Sequence, residues 1–400
     1  MRRLNTTWLL SAALVAAGTV LLFLVIGAWT PGSLVERGLP QPSPTVATPL
    51  LRSGSAPPPE ASSRSASAGA SSQAPGAAKH LQPAPGGRHV RVSDAASLTS
   101  ALRAARPGTT ITMAAGIYRG DDVRSGYASE PGRFVAAVSG TAEAPITLRG
   151  DRGAVLDGGG ISRGYGLHLR EADHWQLDGF TVTSASKGIV LDGSNHVRIN
   201  RVRVTRIGTE GVHFRAFSSD NVLEHSTVED TGLALPQYGE GVYLGSAVSN
   251  WPRYSGGGPD ASDRNQVLHN RIVGTAAENI DVKEGSTGGV IRGNFLDGSR
   301  LAGKNSADSW LDMKGNGYQI DANSGHDTLV DGFEVHQAVA GWGRDNTFEN
   351  NQLSVGAAGV GIWLQRAVVD AGNVIGCSNG VTGAQSGNYA TDHYSPIGCS

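Results

Sequence analysis

A short alternating apolar motif, repeated along the middle and end of the chain, is the feature that most constrains its fold. Each copy has apolar residues at its second and fourth positions, and the copies are GIVLD (188–192), GVHFR (211–215), GVYLG (241–245), NIDVK (279–283), WLDMK (310–314), GFEVH (332–336) and GIWLQ (361–365). Residues i and i+2 of a strand share a face, so the two apolar residues of each copy predict one buried face. Repetition of this kind indicates a fold of stacked, similar units.

The connections between the copies favour a parallel β-helix. Further short strands lie between them, for example HVRINRVRV (196–204) and NQVLHNRIV (265–273), and no long helical pattern intervenes. We therefore predict an all-β, single-stranded right-handed parallel β-helix in which each rung buries its apolar face on its neighbours. A β-propeller requires evenly sized blades, whereas the copies here are separated by 23, 30, 38, 31, 22 and 29 residues.

Two further patterns fit a β-helix. In SLTSALRAA (97–105), apolar residues fall on one helical face, which predicts a helix that caps the N-terminal end. Asparagines recur near the predicted turns, where we expect turn formers and asparagine ladders: Asn195, Asn270, Asn294, Asn323, Asn350 and Asn351.

The N-terminal part differs in composition from the rest. Arg2 and Arg3 precede 22 uncharged residues, Trp8 to Trp29, so we expect a signal anchor over 1–30, with a cleaved signal peptide as the alternative. Residues 31–87 contain 11 of the 18 prolines and predict a disordered linker. The β-helix domain is expected over 88–400.

This organisation predicts an extracellular or cell-surface protein that meets the membrane only through its N-terminal segment. In an exported chain, the two cysteines, Cys377 and Cys399, are expected to form a disulfide. A net charge of −2 over 400 residues gives no overall attraction to nucleic acid, and we expect a monomer.

The other face of the repeated strands carries charged and aromatic residues in register. Rungs of a β-helix lie about 4.8 Å apart, so Lys283 is expected beside Lys314, and Asp281 beside Asp312. Like charges stacked in this way are unfavourable unless they serve a purpose, which favours a functional site on an exposed sheet. The alternative is an ordinary solvated strand face with cross-strand Asp/Lys pairs. The predicted outward residues are His213, Arg215, Tyr243, Asp281, Lys283, Asp312, Lys314, Glu334, His336, Trp363 and Gln365.

One of these strands resembles a known catalytic motif. AENIDVKEGSTGGVIRGN (277–294) is similar to the motif of family 6 polysaccharide lyases, the chondroitinase B and alginate lyase group, in which a Glu precedes the catalytic Lys by five residues. The matching residues here are Glu278 and Lys283. The family places an Arg one rung later, where this chain has Lys314. The segment 94–118 is also similar to that group's capping helix and first strand.

The resemblance implies β-elimination in a uronate-containing acidic polysaccharide. Lys283 would be the base, Lys314 would neutralise the substrate carboxylate, and His336 or Tyr243 would protonate the departing O4. A lysine base must be neutral: Lys314 lowers the pKa of Lys283, whereas nearby carboxylates raise it, and the balance is open at this point. The remaining expected substrate contacts are Arg215, His213, Tyr243, Asp281, Asp312, Glu334, Trp363 and, in the insertion 246–264, Trp251.

A metal site also follows from the resemblance. The family binds a metal with an Asn and two glutamates close to the Lys, and Ala276 occupies the second of those Glu positions. A calcium ion is therefore expected to use Glu278 with Glu240, or with Asp281.

Two other functions remain open from the sequence. A glycoside hydrolase on the same fold would use Asp281 and Asp312 as its paired carboxylates. A non-catalytic glycan-binding protein at the cell surface would need only aromatic platforms such as Tyr243, Trp363 and Trp251.

Overall fold

The computed structural model describes residues 86–120 and 131–400, in which each rung contributes strands to three parallel sheets. Sheet I consists of β1 (His89–Val92), β2 (Thr110–Met113), β5 (Ile146–Arg149), β8 (Trp175–Asp178), β11 (Arg198–Asn200), β14 (Val222–Glu224), β17 (Gln266–Leu268), β20 (Val290–Arg292), β23 (Gln319–Asp321), β26 (Thr347–Glu349) and β29 (Val374–Ile375). Sheet II consists of β3 (Gly116–Arg119), β6 (Ala154–Asp157), β9 (Thr181–Ala185), β12 (Arg203–Ile207), β15 (Thr227–Glu229), β18 (Arg271–Val273), β21 (Phe295–Asp297), β24 (Ser324–His326), β27 (Gln352–Ser354) and β30 (Gly380–Thr382).

Sheet III contains all seven copies of the repeated motif. Its strands are β4 (Gly132–Ala136), β7 (Tyr165–Arg170), β10 (Lys187–Asp192), β13 (Val212–Arg215), β16 (Val242–Leu244), β19 (Ile280–Val282), β22 (Leu311–Met313), β25 (Phe333–Val335), β28 (Ile362–Leu364), β31 (Tyr389–Thr391) and β32 (Ser395–Pro396). Only β32 pairs in the antiparallel direction among the described strands. The predicted parallel β-helix is confirmed.

The core is a set of aligned apolar stacks, as the repeated motif predicts. Both apolar residues of every copy are buried; the pair in β19, Ile280 and Val282, has no exposed surface. These side chains pack on their in-register neighbours in β16 and β22. Burial of one such side chain contributes roughly 1.5–3 kcal/mol, so the stack fixes which face of each strand turns outward.

An asparagine ladder runs through a turn between sheets I and II. Along Asn270, Asn294, Asn323, Asn351 and Asn379, each side-chain amide donates to the next Oδ1 at 2.8–3.1 Å. The same amides also donate to backbone carbonyls, for example Asn323 to Ile291. The ladder satisfies buried backbone groups at successive turns, and four of the six expected asparagines belong to it. The side-chain amides of Asn195 and Asn350 instead donate to Asp173 and Asp321, and Asn379 is an unpredicted member.

The N-terminal end is covered by helix α1 (Ala95–Arg103), which packs on β1 to β4. The expected apolar face is buried, including Leu98 and Leu102. The helix begins two residues earlier than predicted because Asp94 caps it, accepting a hydrogen bond from the Ser97 amide at 2.8 Å. A second short helix, α2, spans Trp251–Tyr254. Single 3-10 turns occur at Pro236–Tyr238, Val248–Asn250, Lys304–Ser306, Arg366–Val368 and Asp392–Tyr394.

At the C-terminal end, Cys377 and Cys399 form the predicted disulfide. The expected anchor at 1–30 and nearly all of the expected linker at 31–87 lie outside the described residues. Within the described part of the chain, no helix has the length and apolarity needed to cross a membrane.

Candidate active site

The outward residues of sheet III line up across neighbouring strands as predicted. Tyr243, Asp281, Asp312, Glu334 and Trp363 are successive partners in register. His213 precedes Tyr243 in the same row. A second row, two residues further along each strand, contains Arg215, Lys283, Lys314, His336 and Gln365.

This face is buried rather than exposed, which corrects one expectation. Asp281 is 2% exposed, and the Lys283 and Lys314 side chains are each 13% exposed. Part of the cause is the insertion between β16 and β17, which folds back on the sheet. Tyr254 of α2 places its ring 4.1 Å from the guanidinium carbon of Arg215. The rows therefore form a partly dehydrated groove.

Two carboxylates hold the insertion in place. Asp260 accepts hydrogen bonds from the backbone amides of Ala216 and Phe217, at 2.9 and 2.8 Å. Glu284, which follows Lys283 directly, accepts one from the Val248 amide at 2.6 Å. The insertion starts directly after Gly245, whose φ of +80° suits glycine.

Trp251 does not form the expected sugar platform in this structure. It is 8% exposed, and its indole Nε1 donates to the Ser246 carbonyl at 2.9 Å. Its ring packs within the insertion because the short helix α2 turns it inward. Trp251 therefore supports the wall of the groove.

At the centre of the groove, two lysines share one carboxylate. Lys283 Nζ lies 2.5 Å from Asp281 Oδ2, and Lys314 Nζ lies 3.2 Å from Asp281 Oδ1. Lys314 also binds Asp312. Burial by itself lowers the pKa of Lys283, but the charges of Asp281 and Asp312 outweigh it and raise that pKa above its usual value. The balance left open by the sequence thus favours an ammonium group on Lys283.

Tyr243 and His213 stand beside Lys283. The Lys283 ammonium is 5.0 Å from the centre of the Tyr243 ring, and the Tyr243 hydroxyl has no hydrogen-bond partner among the described residues. Burial, followed by the charge of Asp281, raises the pKa of Tyr243, so its hydroxyl keeps its proton and can donate it. The His213 ring meets Tyr243 edge-on at 4.5 Å.

His213 is a buried neutral imidazole. Its Nε2 lies 3.0 Å from the Gly245 carbonyl, and since a carbonyl only accepts, Nε2 carries the proton. Burial and the charge of Arg215 lower its pKa to about 3. Its Nδ1 has no hydrogen-bond partner among the described residues.

His336 lies at the other end of the groove from His213. Its Nδ1 is 2.8 Å from Asp312 Oδ1, and its ring centre is 5.0 Å from that of Trp363. Burial, and then the charge of Asp308, raises the pKa of Glu334. Glu334 is thus suited to donate a hydrogen bond rather than to carry charge.

Three carboxylates converge at the position expected for a metal. Ligand oxygens of Glu240, Glu278 and Asp281 all lie within 4.8 Å of one another, and all three residues are buried. Glu240 Oε2 has no hydrogen-bond partner among the described residues. Burial and the charge of Glu210 raise the pKa of Glu240 to about 8, and burial and Asp281 raise that of Glu278. A set of carboxylate oxygens with an orphaned member suits calcium, which prefers oxygen ligands.

Arg215 is engaged by protein groups. It is 3% exposed, its Nε and Nη2 bind the two Asp192 oxygens at 2.6 and 3.0 Å, and Nη2 also donates to the Tyr165 hydroxyl at 3.2 Å. With Tyr254 on its face, this guanidinium supports the wall and is not placed to hold a substrate. The sequence contained a signal for this pairing, since Asp192 and Arg215 end successive copies of the motif and are partners in register.

Lys187 is a site residue that sequence reasoning missed. It binds Glu210, and it precedes GIVLD just as Glu210 precedes GVHFR. The same alignment that grouped Glu210, Glu240 and Glu278 would have placed Lys187 at the head of their row. The row that contains Glu210, Glu240 and Glu278 therefore begins at β10.

Comparison with known proteins gives the following relationships. The solved crystal structure of an alginate lyase from Paenibacillus sp. str. FPU-7 is 37% identical, with a TM-score of 0.68, over 76% of this chain and 98% of that one. Pectate lyase Pel9A matches with 15% identity and a TM-score of 0.52, over 75% of this chain and 80% of the other.

A rhamnogalacturonan lyase matches with 11% identity and a TM-score of 0.52, over 78% and 89% of the two chains. The last two similarities concern the fold alone. No protein-family model and no curated protein sequence matches this chain.

Proposed function

Because the chain belongs to the family of parallel β-helix polysaccharide lyases that includes this alginate lyase, we propose that it cleaves a uronate-containing polysaccharide by β-elimination in the groove of sheet III. One observation carries the proposal: Lys283 and Lys314 lie on adjacent strands beside Tyr243, whose hydroxyl is unpaired among the described residues. An ammonium has three donors, so Lys314 can bind a substrate carboxylate while keeping both of its aspartates.

In β-elimination, the C5–H bond breaks, a C4=C5 double bond forms, the C4–O4 bond breaks, and O4 takes up a proton. These changes require a base, positive charge beside the substrate carboxylate, and an acid. Removal of the C5 proton needs a base at hydrogen-bond distance and positive charge or donors beside the substrate carboxylate, where negative charge develops. Protonation of O4 needs an acid on the same side of the groove.

Lys314 meets the charge requirement. It is held between Asp281 and Asp312, so its position is fixed before substrate arrives. Fixed charge requires little reorganisation during the reaction, and that is the main advantage of a preorganised site. In the metal-free site, the protonated Glu278, close to Asp281, would add a hydrogen-bond donor to the substrate carboxylate.

We assign Lys283 as the base and Tyr243 as the acid. Asp281 lies 2.5 Å from Lys283 Nζ and orients it; once the ammonium has released a proton to solvent, the free amine accepts the C5 proton. Tyr243 lies on the strand adjacent to Lys283 and donates its proton to O4. His336 is less suited to this role, because it lies two strands from Lys283 and its Nδ1 binds Asp312.

A calcium ion held by Glu240, Glu278 and Asp281 would supply further positive charge near the substrate carboxylate. Binding is testable without any substrate. If the carboxylates hold calcium, the unfolding temperature rises with calcium and returns on addition of a chelator. The Glu240→Gln variant should lose most of that rise.

The hydrolase alternative is less well supported. A hydrolase needs one carboxylic acid that keeps its proton and one free carboxylate. Lys314 contacts both Asp281 and Asp312. Burial by itself raises the pKa of Asp312, but the charges of Lys314 and His336 outweigh burial and lower that pKa below its usual value. This carboxyl therefore does not retain a proton.

The test is incubation of the full chain with alginate, then pectate, chondroitin sulfate and a neutral glucan. Alginate comes first because the 37%-identical relative is an alginate lyase. A rise in ultraviolet absorbance reports the new double bond, and it should vanish in Lys283→Ala but persist in the exposed control Lys304→Ala. New reducing ends without that absorbance would indicate a hydrolase, and binding without cleavage a glycan-binding protein.

We also propose that the protein acts outside the cytoplasm, as a secreted or surface-tethered monomer. The uncharged segment from Trp8 to Trp29 and the disulfide between Cys377 and Cys399 support this location.

A further inference from the structure

Sheet II carries a second groove, on a face that the candidate active site does not use. It has a volume of about 360 Å³ and crosses β6, β9 and β12. The residues that line it are Arg152, Val155, Thr181, Thr183, Arg203, Thr205, Arg206 and Asp230.

The groove has excess positive charge. Arg203 is paired with Glu229, its Nε lying 2.6 Å from Oε1. Arg152 and Arg206, by contrast, make no ion pair with any residue that the structure describes. Burial and the charge of Arg203 lower the pKa of Arg152, which indicates that positive charges are crowded here. A bound anion would relieve that crowding.

The floor of the groove carries hydroxyl groups in register. Thr183 of β9 is the partner of Thr205 in β12, and Thr181 is the partner of Arg203. Neighbouring strands lie about 4.8 Å apart, so the hydroxyls form a short row across the strands. Each hydroxyl can both donate and accept, as sugar hydroxyls do.

The lining also separates polysaccharides from other anionic polymers. None of the described residues that line the groove is aromatic, whereas single-stranded nucleic acid is held by stacking on aromatic rings. Val155 is the only large apolar side chain among them, so the groove lacks the apolar surface that buries in a membrane interface.

We propose that this groove is a second, non-catalytic binding site for an anionic polysaccharide. Carboxylate groups of the polymer bind Arg152 and Arg206, and sugar hydroxyls bind Thr183 and Thr205. Because the groove lies on sheet II, a polymer held there leaves the active-site groove on sheet III open. A chain attached at one face raises the local concentration of substrate at the other.

The experiment is affinity electrophoresis of the full chain in gels that contain alginate, a sulfated polysaccharide or neutral dextran. The test variant is Arg152→Ser with Arg206→Ser. The control is Arg103→Ser with Arg106→Ser, which removes the same charge from two exposed arginines elsewhere. Lys283→Ala serves as the background, so that cleavage does not shorten the polymer.

We expect the test variant to bind alginate at least about five-fold more weakly than its parent, whereas the control and the dextran gels show no change. The Arg152→Lys with Arg206→Lys variant keeps the charge and should retain most of the binding. When the two test substitutions, Arg152→Ser and Arg206→Ser, are placed in the chain that keeps Lys283, the rate of cleavage of a short oligouronate should be unchanged.

Equal binding by the test variant and its parent, or equal losses in test and control, would overturn the proposal. Loss on both the uronate and the sulfated gels supports a general anionic site, and loss on alginate alone supports one selective for carboxylates. The proposal would also be overturned if the parent were retarded in the dextran gel and the test variant were not, because dextran is neutral. Because binding is measured in an inactive background, the result does not depend on lyase activity.

Discussion

Asp281 joins the two lysines of the groove: its Oδ1 lies 3.2 Å from Lys314 Nζ, on the next strand, and its Oδ2 lies 2.5 Å from Lys283 Nζ. A single carboxylate thus orients two ammonium groups that would otherwise repel each other. The lysines sit in equivalent positions of successive strands, yet they differ in their other contacts. Lys314 has a second acid, Asp312, whereas Lys283 faces the ring of Tyr243.

This difference predicts opposite responses to arginine. Lys283→Arg keeps the charge but cannot act as a base, since a guanidinium does not lose its proton in proteins, and we expect activity to fall at least about 10³-fold. Lys314→Arg keeps the charge that its role requires and should retain activity within about 10-fold. Both expected activities are checked by initial rates on the polymer that the parent protein cleaves. Unfolding temperatures show whether each variant is folded. Near-normal activity of Lys283→Arg would remove Lys283 from the role of base.

Tyr243→Phe should separate catalysis from stability. The hydroxyl has no hydrogen-bond partner among the described residues, so its removal should shift the unfolding temperature by no more than about 2 °C. Loss of the acid for O4 should lower kcat by roughly 10²- to 10⁴-fold. Tyr165→Phe is the matched control, because it removes a hydroxyl that accepts a hydrogen bond from Arg215 and has no proposed role in the reaction. A Tyr243→Phe enzyme of normal rate would point to another acid, with His336 the next to test.

His213 predicts a pH dependence of stability. Its pKa is lowered from 6.5 to about 3 by burial and Arg215, so between these pH values the unfolded chain binds more protons than the folded one. The stability that neutral His213 contributes is complete above pH 6.5 and is lost as the pH falls, by up to about 1.4 kcal/mol per pH unit.

Denaturant unfolding from pH 7 to 4 should show a smaller loss in His213→Asn than in the parent. The exposed His269→Asn is the control, since φ at this position is +54° and asparagine tolerates that conformation. Parallel curves for parent and His213→Asn would contradict the assignment.

The asparagine ladder predicts a large effect at a position remote from the site. In Asn323→Ala, the Asn294 backbone and side-chain amides and the Ile291 carbonyl lose their partner. A buried polar group left unpaired costs about 1–3 kcal/mol, so we expect a loss of about 2–4 kcal/mol in the free energy of unfolding. Urea unfolding measures it, and Asn388→Ala, at an exposed asparagine outside the ladder, serves as a comparison. A loss below about 1 kcal/mol would mean that water replaces the missing amide.

Much of the fold follows from local pattern. In a β-helix, inward residues are apolar in every rung, so the alternation in NIDVK and WLDMK was enough to place Ile280 and Leu311 in one stack and Asp281 and Asp312 in another. The capping helix follows in the same way from its apolar face.

The remainder depends on contacts between residues far apart in sequence. Part of the burial of the sheet III face comes from the insertion folding back, held by Asp260 and by Glu284. The composition of the insertion does not indicate that it folds back on the sheet. The inward orientation of Trp251 depends on the same folding of the insertion. The state of Lys283 depends on distances to two aspartates and on the depth of burial, which a strand pattern does not contain.

The insertion begins directly after Gly245 and ends before β17. On either side of it, β16 keeps its register with β13 and β19, and β17 keeps its register with β14 and β20. The groups proposed to react thus belong to the repeated strands of sheet III, whereas one wall of the groove is formed by an insertion in a single turn. Evolution can lengthen, trim or exchange that segment without displacing Lys283, Lys314 or Tyr243. Enzymes descended from one such ancestor can therefore diversify in the polymers that they admit while inheriting the same chemistry.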